Sequence, residues 1–125
     1  MEHKPAVVVV DNHPEIREVL SGLLEALCFE TYRAGGYAEA LQQIERPGVC
    51  AIVTDVEMHP ETGFDLLAYS REKYPDIPVI MVSSYSSHDM REQALKSGAA
   101  EFLSKPFTME ALSDALERST RVLTV

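Results

Sequence analysis

The sequence predicts an α/β domain in which a parallel β-sheet is covered by helices on both faces. Short apolar runs alternate five times with segments whose apolar residues recur at helical spacing. Several of these runs are apolar without a break, which is typical of strands buried on both faces of a parallel sheet. Because parallel strands need crossover connections, the alternation favours strand–helix–strand units over hairpins.

Three strands are predicted in the first half of the chain. The first covers Ala6–Val10, and Pro14 begins the helix after it, where the missing N–H of proline costs nothing. Apolar residues recur along this helix at Ile16, Val19, Leu20, Leu23, Leu24 and Leu27. A mixed run over Phe29–Ala34 indicates an edge strand, and Tyr37–Ile44 a short second helix. The third strand, which begins at Val49, is again apolar.

The second half of the chain continues the same alternation. The third strand ends on a carboxylate, Asp55. After it we predict a helix, a strand, a helix and a short strand, over about Gly63–Lys73, Val79–Val82, Ser87–Lys96 and Ala99–Ser104. Thr108 is predicted to cap the last helix, whose buried face would consist of Leu112, Ala115 and Leu116.

Composition limits what the domain can bind. At 125 residues we expect a single domain over residues 1–125, with any output domain beyond residue 125. The net charge of −9 argues against direct nucleic-acid binding. No apolar stretch approaches the length needed to span a membrane. Cys28 and Cys50 lie in apolar runs without a CxxC spacing, which indicates buried, reduced thiols and a cytoplasmic protein.

Polar side chains stand at the predicted ends of four strands. Asp11 and Asn12 follow the first strand, Asp55 ends the third, Ser83 follows the fourth and Lys105 follows the fifth. In a parallel sheet these positions share one edge, where ligands bind. Converging carboxylates repel one another unless a cation lies between them, and oxygen ligands suit Mg²⁺. Because a lysine and a hydroxyl would orient a phosphoryl group there, the pattern predicts Mg²⁺-assisted phosphoryl transfer onto the strand-end carboxylate.

At this point the chain resembles a known family, the response-regulator receiver domain of bacterial two-component signalling. The segments that carry the resemblance are Val7–Asn12, Val53–Asp55 with Gly63 eight residues later, Val79–Ser84 and Glu101–Phe107. The resemblance covers essentially the whole chain. It implies a flavodoxin-like, doubly wound parallel sheet of five strands in the order 2-1-3-4-5, with five helices.

The resemblance also implies a metal site. Asp55 corresponds to the phospho-acceptor, and Asp11 to an acid that holds Mg²⁺ directly or through water. Glu57 occupies the position whose backbone carbonyl usually binds the metal. The family usually has two acids after the first strand, whereas Asn12 offers a carbonyl oxygen without charge. We therefore expect the Glu57 carboxylate to replace part of the missing charge; the alternative is a solvent-facing acid. His13 is interpreted as a solvated loop residue.

Three further residues correspond to the family's switch. Ser83 resembles the hydroxyl that turns toward the phosphoryl group, and Lys105 the lysine that pairs with it. The peptide between Lys105 and Pro106 is cis in the family. Phe102 occupies the position of the aromatic residue that moves with the switch, the alternative being a ring that only packs in the core. The loop reads Met58-His59-Pro60 where the family usually has Met-Pro, which predicts local reshaping.

The function implied by the resemblance is a phosphorylation-controlled switch rather than an enzyme, with at most slow self-dephosphorylation. A sensor histidine kinase or a phosphotransfer protein would donate the phosphoryl group from a phosphohistidine. The surface of the fourth helix, fifth strand and fifth helix would then change for a downstream output domain or protein. A second copy of the chain is a further candidate partner. Two alternatives stay open: a pseudo-receiver that docks proteins without phosphorylation, which Asn12 favours, and a flavin-binding protein of the same fold, which the Asp11–Pro14 loop disfavours.

Overall fold

The computed structural model describes residues 4–85 and 87–120, and there five strands alternate with five helices. In chain order the elements are β1 (Ala6–Val10), α1 (Pro14–Ala26), β2 (Glu30–Ala34), α2 (Tyr37–Ile44), β3 (Val49–Asp55), α3 (Gly63–Lys73), β4 (Val79–Ser83), α4 (His88–Lys96), β5 (Glu101–Ser104) and α5 (Met109–Thr120). The strands pair in parallel in the order β2-β1-β3-β4-β5. The predicted flavodoxin-like architecture is therefore confirmed.

The sheet separates two hydrophobic cores because successive side chains of a strand point to opposite faces. On β1, Val7 and Val9 belong to one core, whereas Val8 and Val10 belong to the other. Helices α1 and α5 cover the first core with Leu20, Leu24, Leu112, Ala115 and Leu116. Helices α2, α3 and α4 cover the second with Ala40, Ile44, Leu66, Leu67 and Ala94. Burial on both faces explains the unbroken apolar run of β1.

Local hydrogen bonds set the beginnings of three helices. Thr62 and Asp65 form a capping box at the start of α3. The Thr62 hydroxyl accepts a backbone N–H of the first turn, and the Asp65 carboxylate accepts the N–H of Thr62. The Ser87 side chain caps α4, so this residue precedes the helix rather than beginning it. The Thr108 hydroxyl accepts the Ala111 N–H at 3.0 Å, as predicted for the last helix.

The apolar stripe of α1 is wider than the surface that the sheet covers. Leu20 and Leu24 are buried, but Ile16 is 40% exposed and Val19 is 66% exposed. Helical periodicity identifies the stripe correctly and overestimates how much of it packs against the sheet. Among the described residues, no helix is long and apolar enough to span a membrane.

The prediction that both cysteines are buried is wrong for Cys28. This residue follows the C-terminus of α1 in a left-handed conformation with φ 73°, and its side chain is exposed. The turn that reverses the chain from α1 to β2 therefore carries the thiol out of the core. Cys50 is partly buried in β3, where burial raises the pKa of its thiol to about 11.

Candidate functional site

The carboxyl ends of the strands bring the predicted site residues to one edge of the sheet. Asp11 directly follows β1, Asp55 ends β3, Ser83 ends β4 and Lys105 directly follows β5. Strands β3 and β4 pair Asp55 with Val82, one residue before Ser83. Asp11, Asp55 and Ser83 are at most 2% exposed, so all three polar side chains are buried at this edge of the sheet rather than dissolved in solvent.

One ammonium group serves two carboxylates in this pocket. The Nζ atom of Lys105 lies 3.1 Å from Oδ2 of Asp11, to which it donates a hydrogen bond. It also lies 3.2 Å from Oδ1 of Asp55. The lysine side chain is only 14% exposed. Charge pairs that are this close and this well shielded from water interact more strongly than surface pairs.

The electrostatic balance of the pocket is negative. Burial raises the pKa of Asp55; the Lys105 ammonium opposes that rise, and the carboxylates of Asp11 and Glu57 add to it. For Lys105, burial acts to lower the pKa, but the carboxylates of Asp55 and Asp11 outweigh it, so the pKa is raised. A single ammonium does not offset three acids, and the pocket is therefore suited to a further cation.

The donor atoms in the pocket fit a divalent metal. The Oδ1 atom of Asp55 is buried, and the Lys105 ammonium at 3.2 Å is its one polar neighbour among the described residues. Ligand atoms of Asp11, His13 and Asp55 lie within 4.8 Å of one another. Carboxylate oxygens are the ligands that Mg²⁺ prefers. The Oδ1 atom of Asp55, which has only this ammonium beside it, is an atom that such an ion would bind.

The loop after β1 holds Asp11 in place and brings a histidine to the pocket. The His13 N–H donates to Oδ1 of Asp11 at 2.9 Å, and Arg17 Nη1 donates to the Asp11 carbonyl at 2.7 Å. The His13 Nδ1 atom lies 3.4 Å from the same Asp11 oxygen, although the ring is largely exposed. The exposed ring agrees with the interpretation of His13 as a solvated loop residue, although its backbone N–H binds Asp11. Asn12 is exposed and makes no side-chain hydrogen bond with the described residues.

The Ser83 hydroxyl is engaged on the side of the pocket formed by Glu57. It donates to Oε2 of Glu57 at 2.6 Å and accepts the Tyr85 N–H at 2.9 Å. The Met90 Sδ atom lies 3.4 Å from the same hydroxyl. The Glu57 side chain is thus partly buried and bonded to Ser83, and it lies outside the group of metal-ligand atoms formed by Asp11, His13 and Asp55.

The Phe102 side chain is buried in the core on one face of the sheet and is not at the surface. Its ring belongs to the core beneath α4 and is only 2% exposed, and its carbonyl accepts Arg91 Nη1 at 3.1 Å. A movement of the ring together with Ser83 stays a prediction. The peptide bond between Lys105 and Pro106 is cis, as the resemblance implies, and the bond between His59 and Pro60 is cis as well.

The loop between β3 and α3, which carries Glu57 and Glu61, is joined at its end to its first residue by a hydrogen bond from Gly63. The Val56 carbonyl accepts the N–H of Met58 at 3.1 Å and the N–H of Gly63 at 2.9 Å. A Cβ atom at Gly63 would clash with the Asp55 carbonyl oxygen and lie 2.9 Å from the Val56 Cα atom. Only glycine allows this approach of α3 to the backbone of Asp55.

An apolar groove begins beside the pocket. Its lining includes Ile16, Val19 and Leu23 of α1, and Lys105, Pro106 and Phe107 after β5. The groove therefore connects the exposed half of the α1 stripe with the lysine of the pocket.

Comparison with known proteins identifies relatives for the whole fold. The family model described as "Response regulator receiver domain" matches residues 7–117. The response regulator protein PilR of Pseudomonas aeruginosa is 33% identical over 115 residues, which are 92% of this chain. The chain spans only 26% of the PilR sequence, 25% of the C4-dicarboxylate transport transcriptional regulatory protein DctD of Pseudomonas aeruginosa and 28% of the transcriptional regulatory protein GlrR of Escherichia coli.

Solved structures give the same result. A response regulator receiver domain protein from Clostridium thermocellum has a TM-score of 0.87 and 27% identity, with 94% of each chain covered. The beryllofluoride-activated NtrC4 receiver domain dimer has a TM-score of 0.85 and 32% identity, covering 93% of this chain and 96% of that one. The similarity therefore extends over nearly the full length in both directions.

Proposed function

Because the chain belongs to the response regulator receiver domain family, we propose that it is a phosphorylation-controlled switch whose phospho-acceptor is Asp55. Receiver domains are regulatory phospho-acceptor domains rather than enzymes. One observation carries the proposal: the Lys105 ammonium lies within 3.2 Å of both buried carboxylates at the converging strand ends. That arrangement suits a site where negative charge is added.

The reaction transfers a phosphoryl group from nitrogen to oxygen. A carboxylate oxygen of Asp55 attacks the phosphorus of a phosphohistidine, the N–P bond breaks, and the donor imidazole takes up a proton. The product is an acyl phosphate on Asp55. Lys105 pairs with the added charge, and the Ser83 hydroxyl donates a hydrogen bond to a phosphoryl oxygen. Such chemistry depends on positioning and charge stabilisation more than on a protein general base.

Mg²⁺ is the proposed cofactor of this reaction. The carboxylates of Asp11 and Asp55 would hold it, together with the backbone carbonyl of Glu57 and the amide carbonyl of Asn12. When bound, Mg²⁺ supplies positive charge that offsets the charge of the phosphoryl oxygens. The side chain of Glu57 has one carboxylate oxygen, Oε1, outside its hydrogen bond with Ser83, and this oxygen is proposed to support the metal's water shell.

The phosphoryl donor is proposed to dock on the apolar groove along α1. Exposed Ile16 and Val19 lead directly to Lys105 in the lining of this groove. A donor that delivers its phosphohistidine to Asp55 must approach from this edge of the sheet. An apolar helical surface of a sensor histidine kinase or a phosphotransfer protein fits both requirements.

The output surface is proposed to comprise α4, β5 and α5. Ser83 at the end of β4 contacts Met90 on α4, so a change at the hydroxyl is passed directly to that helix. Related regulators include transcriptional regulatory proteins far longer than this chain, which supports an output domain or protein as the receiver of the signal. A homodimer is a further proposal, since the activated NtrC4 receiver domain is a dimer. We place the domain in the cytoplasm, where both partners would be available.

Asn12 favours one competing function, that of a phosphorylation-independent docking module, because it removes a charge from the expected metal site. Family membership leaves the flavin-binding alternative without support. Acetyl phosphate with Mg²⁺ separates the two remaining functions: a receiver acquires one phosphoryl group and loses this ability with a chelator. A protein that stays unmodified at every Mg²⁺ concentration is a docking module.

A further inference from the structure

The Ser83 hydroxyl already has a strong acceptor before any phosphoryl group is present. It donates to Oε2 of Glu57 at 2.6 Å, a length typical of a hydrogen bond to a charged oxygen. The Tyr85 N–H donates to the same hydroxyl at 2.9 Å, which orients its lone pairs. The hydroxyl is therefore held by two partners, one on the loop after β3 and one two residues beyond the end of β4.

A serine hydroxyl has a single proton to donate. A phosphoryl oxygen on Asp55 and the carboxylate of Glu57 are both acceptors, so they cannot both receive this proton. The Met90 sulfur, at 3.4 Å, is a weaker acceptor than either. Ser83 and Glu57 project from neighbouring segments, since Glu57 lies two residues after Asp55 and β3 pairs with β4 at Asp55 and Val82. Glu57 and a phosphoryl group on Asp55 would therefore compete for the Ser83 proton from neighbouring positions in the pocket.

We propose that Glu57 is a positioning residue that retains the Ser83 hydroxyl in its unphosphorylated orientation and so raises the threshold for switching. The proposal rests on the proposed function, because it concerns the hydroxyl that the phosphoryl group must recruit. A phosphoryl oxygen gains Ser83 only when the hydrogen bond to Glu57 breaks. The stability of the switched state is thereby reduced by the strength of that hydrogen bond. In this role the Glu57 side chain acts through the Ser83 hydroxyl.

The test measures the affinity of beryllofluoride, a mimic of the phosphoryl group, at saturating Mg²⁺. Glu57→Met keeps the length of the side chain and replaces the carboxylate with a thioether, which is a much weaker acceptor. We expect this variant to bind beryllofluoride more tightly, on the order of tenfold, which is the effect of releasing one hydrogen bond to a charged group. Glu61→Met is the matched control. Glu61 lies in the same loop and has no hydrogen bond or ion pair with the described residues, so its replacement is expected to leave the affinity unchanged.

A second pair of variants separates the proposed role from a simple effect of charge. In a Ser83→Ala background there is no hydroxyl to retain, so Glu57→Met is expected to give no comparable gain. An equal gain with and without the hydroxyl would overturn the proposal, because Glu57 would then act by repulsion or through the metal. An unchanged affinity of Glu57→Met in the presence of Ser83 would overturn it as well.

Failure of the proposed function gives a different result. If the unmodified protein does not bind beryllofluoride at any Mg²⁺ concentration, Asp55 is not a phosphoryl acceptor, and both proposals are wrong. If the unmodified protein binds the mimic and the two backgrounds respond equally, only the role of Glu57 is wrong.

Discussion

The Lys105 ammonium lies 3.2 Å from Oδ1 of Asp55 and shares its charge with Asp11 at 3.1 Å. Glu57 contributes a third acid on the same side of the sheet, and it raises the pKa of Asp55 further. Three acids therefore face one ammonium, and the carboxylates repel one another. On the proposed function, this repulsion is a cost in stability that a bound cation would offset.

Asp55→Asn is expected to stabilise the metal-free domain at neutral pH, by a few degrees in Tm, because it removes a carboxylate whose charged form is disfavoured by burial and by the neighbouring acids. Thermal unfolding in a chelator measures the difference. Addition of Mg²⁺ is expected to reverse the order, since only the unmodified site binds the ion well. At ten times the dissociation constant this binding contributes about 1.4 kcal/mol. A destabilised Asp55→Asn protein in chelator would contradict the electrostatic account.

The same comparison has a defined pH dependence. The pKa of Asp55 is raised by folding, whereas in the unfolded chain it is near ~3.9. Between these two pKa values the folded state binds more protons, so the stability of the unmodified protein falls as pH rises through this window. The advantage of Asp55→Asn is therefore expected to be greatest at neutral pH and to shrink as the pH falls. An advantage that grows on acidification would show that the pKa of Asp55 is lowered instead.

Mg²⁺ affinity is expected to depend on the charges at positions 12 and 57. Asn12→Asp adds a carboxylate and should tighten binding. Glu57→Gln should weaken it modestly, by about 1 kcal/mol if the contact is through water, and less in the Asn12→Asp background. Titration of the three variants against the unmodified protein measures these effects. Equal Mg²⁺ affinity for Glu57→Gln and the unmodified protein would leave Asn12 as an uncompensated loss.

Much of this arrangement could be predicted from the sequence. The bounds of β1, α2 and α3 follow from unbroken apolar runs, helical periodicity and turn residues, which are local properties. The meeting of Asp11, Asp55 and Lys105 follows from the parallel topology alone. These are features that depend on the path of the backbone.

The remaining features depend on side-chain choices that no pattern encodes. Whether Glu57 faces a metal or Ser83 depends on rotation about its side-chain bonds. The rotamer in the structure gives the 2.6 Å hydrogen bond with Ser83. The exposure of Val19 was not predicted, because periodicity does not say which edge of an apolar stripe the sheet leaves uncovered. The proximity of His13 to Asp11 similarly depends on one ring orientation.

Gly63→Ala is expected to destabilise the domain by about 1–3 kcal/mol, the range for forced overpacking, because the new Cβ atom would meet the Asp55 backbone. Chemical denaturation measures the change. Gly22→Ala is the matched control: no atom lies within 4 Å of its Cβ position, and it lies inside α1. There alanine should stabilise the helix by about 0.5–1 kcal/mol. Equal effects of the two substitutions would rule out a special role for Gly63.

Val19→Asp is expected to slow phosphotransfer from a phosphorylated histidine kinase or phosphotransfer protein while leaving labelling by acetyl phosphate unchanged. Val19 is 66% exposed on the groove, so a charge there disturbs docking rather than folding. Leu95→Asp, at an exposed apolar position on α4, is the control and should leave the transfer rate unchanged. If both routes of phosphorylation slow together, Val19 affects the pocket and not the docking of the donor.

The central claim is that Asp55 accepts a phosphoryl group, and intact-mass analysis after treatment with acetyl phosphate and Mg²⁺ tests it most directly. We expect the unmodified protein to gain the mass of one phosphoryl group, the gain to disappear in a chelator, and Asp55→Asn to gain nothing. Asp65→Asn, which changes an exposed acid of the α3 capping box, controls for loss of a carboxylate elsewhere and should still be labelled. A phosphoryl group on Asp55→Asn, or an unmodified protein that stays unlabelled, would contradict the account.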